Sequence, residues 1–122
     1  VVVTPTLQAV AYQTHDLIVA MRDDGVAPEV IRVDGGMVAN DWFLQYLADI
    51  LDIPVERPIN TESTVIGAAS LAARHVGLVA DERAIAARWQ CDRVFEPAME
   101  SAVRDQLLAG WSDAVSRVRG GR

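Results

Sequence analysis

The chain has 122 residues, enough for one compact domain and too few for two. With 51% hydrophobic and 23% charged residues it has the make-up of an ordinary folded protein, and no apolar run approaches the roughly 18 residues a membrane-spanning helix needs. A formal net charge of −6, with arginines scattered and never in blocks, argues against a nucleic-acid partner.

From the N-terminus, Val1-Val2-Val3 is too short for a signal-peptide core and has no basic flank. Thr4 as N-cap and Pro5 at the first helical position predict a helix, with Leu7, Val10, Ala11, Leu17, Ile18 and Met21 as its apolar stripe. Gly25 and Pro28 end it. Val30-Ile31-Arg32-Val33 reads as a short, mostly buried strand that stops at Asp34-Gly35-Gly36. A second helix starts near Asn40 or Asp41, with Leu44, Leu47, Ala48 and Leu51 inward. Ile53-Pro54-Val55-Glu56 is a second strand, its proline fit only for the strand start or an edge.

Thr61 to Thr64 offers N-caps for a third helix through Val65, Ala68, Ala69, Leu71, Ala72 and Val76 to Gly77. Its alanine-rich face, with Gly67, predicts close packing on another backbone. A short helix from about Asp81 to Trp89 follows. A last helix from about Ala98 carries Val103, Leu107, Trp111, Ala114, Val115 and Val118, and Gly120-Gly121-Arg122 reads as a frayed tail. The order, α-β-α-β-α and then helices, implies a parallel sheet. Two strands cannot cover the apolar surface of five helices, so the sheet is expected to be incomplete.

The stretch that carries chemistry runs from Val30 to Asn40. A strand leads through two glycines into a helix start, where free N–H groups and a partial positive charge favour an anion such as phosphate. Ligands of open α/β sheets also sit at the carboxyl ends of strands. The pattern is neither a dinucleotide fingerprint, lacking its third glycine, nor a P-loop, lacking a lysine followed by serine or threonine. On the glycines alone, a plain strand-to-helix turn is an equal reading.

The flanking residues weigh the balance. Ala9 to Asp24, then Arg32-Val33-Asp34-Gly35-Gly36-Met37-Val38-Ala39-Asn40-Asp41, resemble the nucleotide-side helix and turn of glycerol kinases. Ala48-Asp49-Ile50-Leu51, Val55-Glu56-Arg57-Pro58, Thr61-Glu62 through Gly67-Ala68-Ala69, Phe95 to Met99 and Gly110 to Val115 continue the resemblance in order and spacing. It covers residues 9–118. Asp-Gly-Gly with a downstream Asn and Glu-Arg-Pro is more like glycerol kinases than other sugar kinases of the FGGY superfamily, which tend to show Gly-Gly-Gly. His15 stands where the family often has arginine, Ser63, Val65 and Ile66 are mild variants, and residues 1–6 do not match closely.

The resemblance implies that residues 1–122 are the C-terminal nucleotide-binding portion of a glycerol kinase, an enzyme that transfers the γ-phosphoryl of MgATP to glycerol. The implied fold is α/β, the C-terminal part of an actin-like ATPase (ribonuclease H-like) domain whose first three strands lie earlier in sequence. Gly35, Gly36 and Asn40 are then the nucleotide contacts: Gly36 through its backbone, Asn40 through a side-chain amide that both donates and accepts. Asp34 reads as a turn former that bonds local N–H groups, in preference to a magnesium ligand.

No residue of the chain matches the family's catalytic aspartate or a metal ligand, so the piece alone is expected to be inactive, with no catalytic and no metal residues. Cofactors are ATP and Mg2+ through the longer enzyme. Partners are ATP or ADP and, in the longer enzyme, glycerol, with no nucleic acid and no membrane. The expected location is the cytoplasm, with which a single cysteine, Cys91, is consistent. The Val30–Val33 strand should have a bare edge that favours self-association. The alternatives are a non-catalytic standalone binding module and a piece of another FGGY sugar kinase. His15 and His75 are expected at surfaces or helix ends, Cys91 as an inert packing residue, and Trp42, Trp89 and Trp111 as packing anchors.

Overall fold

The computed structural model describes residues 2–120. Five helices, α1 (Val3–Asp23), α2 (Asp41–Leu51), α3 (Ser63–His75), α4 (Glu82–Ala86) and α5 (Ser101–Gly120), accompany three strands, β1 (Ile31–Arg32), β2 (Val55–Pro58) and β3 (Cys91–Phe95). Gly121 and Arg122, read as part of a frayed tail, lie outside the described residues, as does Val1; Gly120 closes α5. No helix among the described residues is long and apolar enough to cross a membrane.

The sheet order is β1-β2-β3. β1 and β2 are parallel, pairing Ile31 with Val55 and Arg32 with Glu56. β2 and β3 are antiparallel, pairing Val55 with Phe95 and Arg57 with Arg93, with a bulge between Arg57 and Pro58. The two strands expected from the sequence are parallel as expected, and the sheet is mixed because a third, unforeseen strand, β3, joins it antiparallel. β3 escapes sequence reading because four of its five residues are exposed, so its side chains show no apolar alternation. β1 is shorter and less buried than predicted: Val30 and Arg32 are exposed, Ile31 and Val33 half-buried. As β1 pairs on one side only, its other edge is open.

α2 is the centre of the core. Phe43, Leu44, Tyr46, Leu47, Ala48, Ile50 and Leu51 are all buried on it, the expected stripe and more, since it is covered on several sides. They pack with Ala11 and Ile18 of α1, Val38, Ile53, Val55 and Phe95. Asp52, with φ 55°, ends α2 in the left-handed region and holds Arg104 of α5 at 2.9 Å. Arg104 also donates to the carbonyls of Asp49 (2.5 Å) and Met99 (3.2 Å), while the Asp49 carboxylate accepts from the Ala98 N–H at 2.7 Å. These bonds lash the 96–104 segment to the end of α2.

α1 begins earlier than predicted, with Val2 rather than Thr4 at its cap position and no side-chain cap bond. Pro5 still falls in the first turn, where its missing N–H costs nothing. Leu17 lies off the buried stripe and is exposed, and Gly25, at φ +88°, turns the chain after the helix. β2 starts two residues later than expected: Ile53 and Pro54 precede it, and the Pro54 carbonyl accepts from the Ile31 N–H at 2.9 Å.

Trp89 and Trp111 are half-buried anchors, as expected, whereas Trp42 is exposed. Trp42 stacks on Tyr46 with centroids 5.2 Å apart, and Trp111 stacks on Tyr12 at 5.4 Å and donates to Asp16 at 2.8 Å. Tyr12 and Tyr46 share a 2.6 Å hydrogen bond between their hydroxyls. Burial, and then that bond, push the Tyr46 hydroxyl pKa up. Trp89 lies under the Arg32 guanidinium, 4.0 Å from the ring centroid.

Other expectations need correction. The alanine-rich face of α3 meets no backbone among the described residues: Val65, Ala68, Ala69, Leu71, Ala72 and Val76 are exposed, and a Cβ at Gly67 would have nothing within 4 Å. Cys91 is exposed on β3 rather than packed. His15 is neither at a helix end nor fully at the surface; it is half-buried mid-helix, with Nδ1 buried and unbonded and Asp16 3.9 Å away. His75 ends α3, as expected.

Candidate nucleotide-binding turn

β1 ends at Arg32, and the chain passes through Val33, Asp34 and Gly35 into a 3-10 turn, Gly36–Ala39, before α2. Gly35 has φ +92°, in the region that favours glycine, and its N–H donates to the Thr61 carbonyl at 3.2 Å. Its own carbonyl accepts from the Val38 N–H at 3.2 Å. Gly36 has no positive φ, and a Cβ added there would meet nothing within 4 Å. A glycine in such open space is not required by the chain's own packing.

Val38, 2% exposed, pins the turn to the core, while Asp34, Gly35, Gly36, Met37, Ala39 and Asn40 face outward. The structure therefore brings Gly35, Gly36 and Asn40 onto one exposed turn. Asn40 is the N-cap of α2: its Oδ1 accepts from the Phe43 N–H at 3.1 Å, and its carbonyl accepts from the Leu44 N–H at 3.1 Å. The amide's acceptor is thereby committed to the cap, and its Nδ2 donors are what it can offer a ligand. The cap also changes the sequence-based picture of a glycine turn opening directly onto helical N–H groups. A 3-10 turn intervenes, and the first turn of α2 carries Asp41.

What holds the turn was not singled out from the sequence. Arg57, on β2, donates from Nη1 to the Val38 carbonyl at 3.0 Å and to Asp41 Oδ1 at 2.6 Å. Its Nε and Nη2 both lie 2.9 Å from Asp92 Oδ2 on β3. Arg93 reaches Asp41 Oδ2 at 2.8 Å, and both guanidiniums lie over the Phe95 ring, at 5.4 and 4.6 Å. One arginine thus joins the turn, the start of α2 and two strands. The bond from Arg57 lowers the Asp41 pKa, opposed by desolvation and helped by the charges of Arg57 and Arg93; Arg57 is raised in turn, first by its bond to Asp41. The signal in the sequence is Glu56-Arg57-Pro58, which resembles the family but carries no spacing that marks an arginine as a brace.

Asp34 is exposed, and its carboxylate makes no hydrogen bond among the described residues, so its expected bonds to local N–H groups are absent. Among the described residues no group of three or more His, Cys, Asp or Glu could hold a metal ion. The donor set here does not fit a resident metal.

Residues 2–76 match the family model of the C-terminal domain of the FGGY family of carbohydrate kinases. A glycerol kinase of Rhodospirillum centenum is 55% identical over 115 residues, covering 94% of this chain and 23% of the relative. The crystal structure of Plasmodium falciparum glycerol kinase with ADP superposes with a TM-score of 0.74 at 30% identity, over 91% of this chain and 22% of that one. A ligand-bound xylulose kinase of Lactobacillus acidophilus has a TM-score of 0.75 at 23% identity, over 92% of this chain and 23% of that one, and supports the fold. The chain spans about a quarter of the length of the curated relatives it matches. It belongs to the FGGY family of carbohydrate kinases, and its fold is the α/β architecture of their actin-like domain with a small, incomplete mixed sheet.

Proposed function

We propose that this chain supplies the adenosine-side wall of the nucleotide site in an ATP-dependent glycerol kinase, with Gly36 giving a close backbone approach, Asn40 Nδ2 a donor and Gly35 the turn. The observation that carries the reading is the exposed Gly35–Asn40 turn, held from behind by Val38 and Arg57 and left open at Gly36. The P. falciparum relative with ADP and the identity to glycerol kinases support nucleotide and glycerol over other FGGY substrates. Phosphoryl transfer, glycerol binding and magnesium, carried on the nucleotide phosphates, then belong to the part of the relatives' length that this chain does not span. The setting is cytoplasmic. The open edge of β1 and the exposed apolar face of α3 favour self-association; light scattering should find a dimer or larger species, and a monomer at all concentrations would count against it.

One wall makes few contacts, so ATP should bind this chain alone no tighter than about millimolar, roughly 4 kcal/mol. Titration followed by backbone amide resonances should move Gly35, Gly36 and Asn40 first, and Asn40→Asp, which keeps the cap but loses the donor, should weaken the shifts several-fold. Micromolar binding, or shifts centred elsewhere, would overturn the reading.

A further inference from the structure

Asn40, the side-chain donor of the turn, sits between two points held by one guanidinium. Arg57 Nη1 donates to the Val38 carbonyl at 3.0 Å, two residues before Asn40, and to Asp41 Oδ1 at 2.6 Å, one residue after it. Its Nε donates to Asp92 Oδ2 at 2.9 Å, and Nη2 lies 2.9 Å from the same oxygen. All three nitrogens are therefore engaged by the protein itself, and the side chain is only 14% exposed. Asp92 fixes the guanidinium from β3, so its Nη1 edge offers the 38–41 segment a rigid template.

An arginine beside a nucleotide site ordinarily suggests a phosphate ligand, because its fork matches a phosphate. Here the fork is committed to two carboxylates and a carbonyl, and Asp41 is shared with Arg93 at 2.8 Å. The charges of Arg57 and Arg93 cancel those of Asp41 and Asp92, so the cluster offers an anion little attraction, and breaking it open would strand partly buried charge. What Arg57 supplies is geometry. Asn40 Oδ1, tied to the Phe43 N–H at 3.1 Å, sets the amide relative to α2. Arg57 sets the turn and the start of α2 relative to the sheet.

We propose that Arg57 is a positioning residue for the nucleotide, fixing the direction of the Asn40 amide donor by holding the chain on both sides of it without touching the ligand. The proposal rests on the assignment of the turn to the nucleotide. A donor already ordered in the free protein loses little freedom on binding, so loosening it lowers affinity while every contact remains available. Because Asn40 serves the adenosine side, the loss should be equal for adenosine and for ATP.

The test is titration of the 122-residue chain with ATP and with adenosine, followed at the Gly36 amide, at a temperature where circular dichroism shows each variant folded. Arg57→Met should weaken both ligands by the same factor, about fivefold. Arg57→Lys, which can keep a bond to Val38 or Asp41, should fall between Arg57→Met and the unaltered chain, and it carries the test if Arg57→Met is not folded. Arg74→Met removes the same charge from the Glu82 pair on α3 and should change neither affinity. Asn40→Ser keeps a capping oxygen but loses the amide, and should itself weaken both ligands. Adding Arg57→Met to Asn40→Ser should then weaken them less than about twofold further, since both changes remove the same donor. A loss confined to ATP would make Arg57 a phosphate ligand and overturn the proposal. So would unchanged affinity in the folded Arg57 variants, or full additivity with Asn40→Ser. Unchanged affinity in Asn40→Ser would instead sink the assignment of the turn to the nucleotide, and this proposal with it.

Discussion

Arg57 and Arg93 face each other across β2 and β3, a like-charge pair that would destabilise a sheet if left alone. Asp41 and Asp92 neutralise it, each bonded to Arg57, and Asp41 bonded to Arg93 as well. The Asp41 pKa is lowered in the fold, chiefly by its bond from Arg57, relative to an unfolded value of about 3.9. Its contribution to stability is therefore present above about pH 4 and is lost as pH falls through the lower folded value. Denaturation measured across acid pH should show a slope that Asp41→Asn flattens. Arg57→Met should cost about 2 kcal/mol at neutral pH, because the Val38 carbonyl and Asp92 lose their partner while Asp41 keeps only Arg93. An unchanged denaturation midpoint in Arg57→Met would remove Arg57 from the account of how the turn is held.

At the scale of elements, legibility followed burial. The stripe of α2 and the glycine turn could be read because the core and the backbone geometry impose their own spacing. β3 could not, since charge pairs and ladder bonds hold it while all of its side chains but Phe95 face solvent. The small residues of α3 predict a packing surface, yet that face meets no backbone among the described residues. α5 has no fully buried residue, so its place depends on half-buried Leu107 and Leu108, the bonds of Arg104 and the stacking of Trp111 on Tyr12. Trp111→Ala should cost about 2 kcal/mol and speed amide exchange along α5, whereas Trp111→Phe should lose less than half of that. Equal effects of the two would mean that stacking does not hold α5.

For the molecule as a whole, family and fold come from agreement along nearly the entire chain, while the role of the turn is an inference from its geometry. The two glycines differ in kind: Gly35 is needed by the backbone at φ +92°, and Gly36 is free of any such need. A side chain at position 36 should thus leave folding intact and obstruct only what approaches from outside. The decisive measurement is steady-state kinetics on a chimera in which this chain replaces the matching C-terminal quarter of the R. centenum glycerol kinase. The chimera should phosphorylate glycerol, and Gly36→Val should raise KM for ATP at least tenfold while KM for glycerol stays the same. A Gly36→Val chimera with unaltered ATP kinetics, or with its defect in glycerol KM, would contradict the assignment of this turn to the nucleotide.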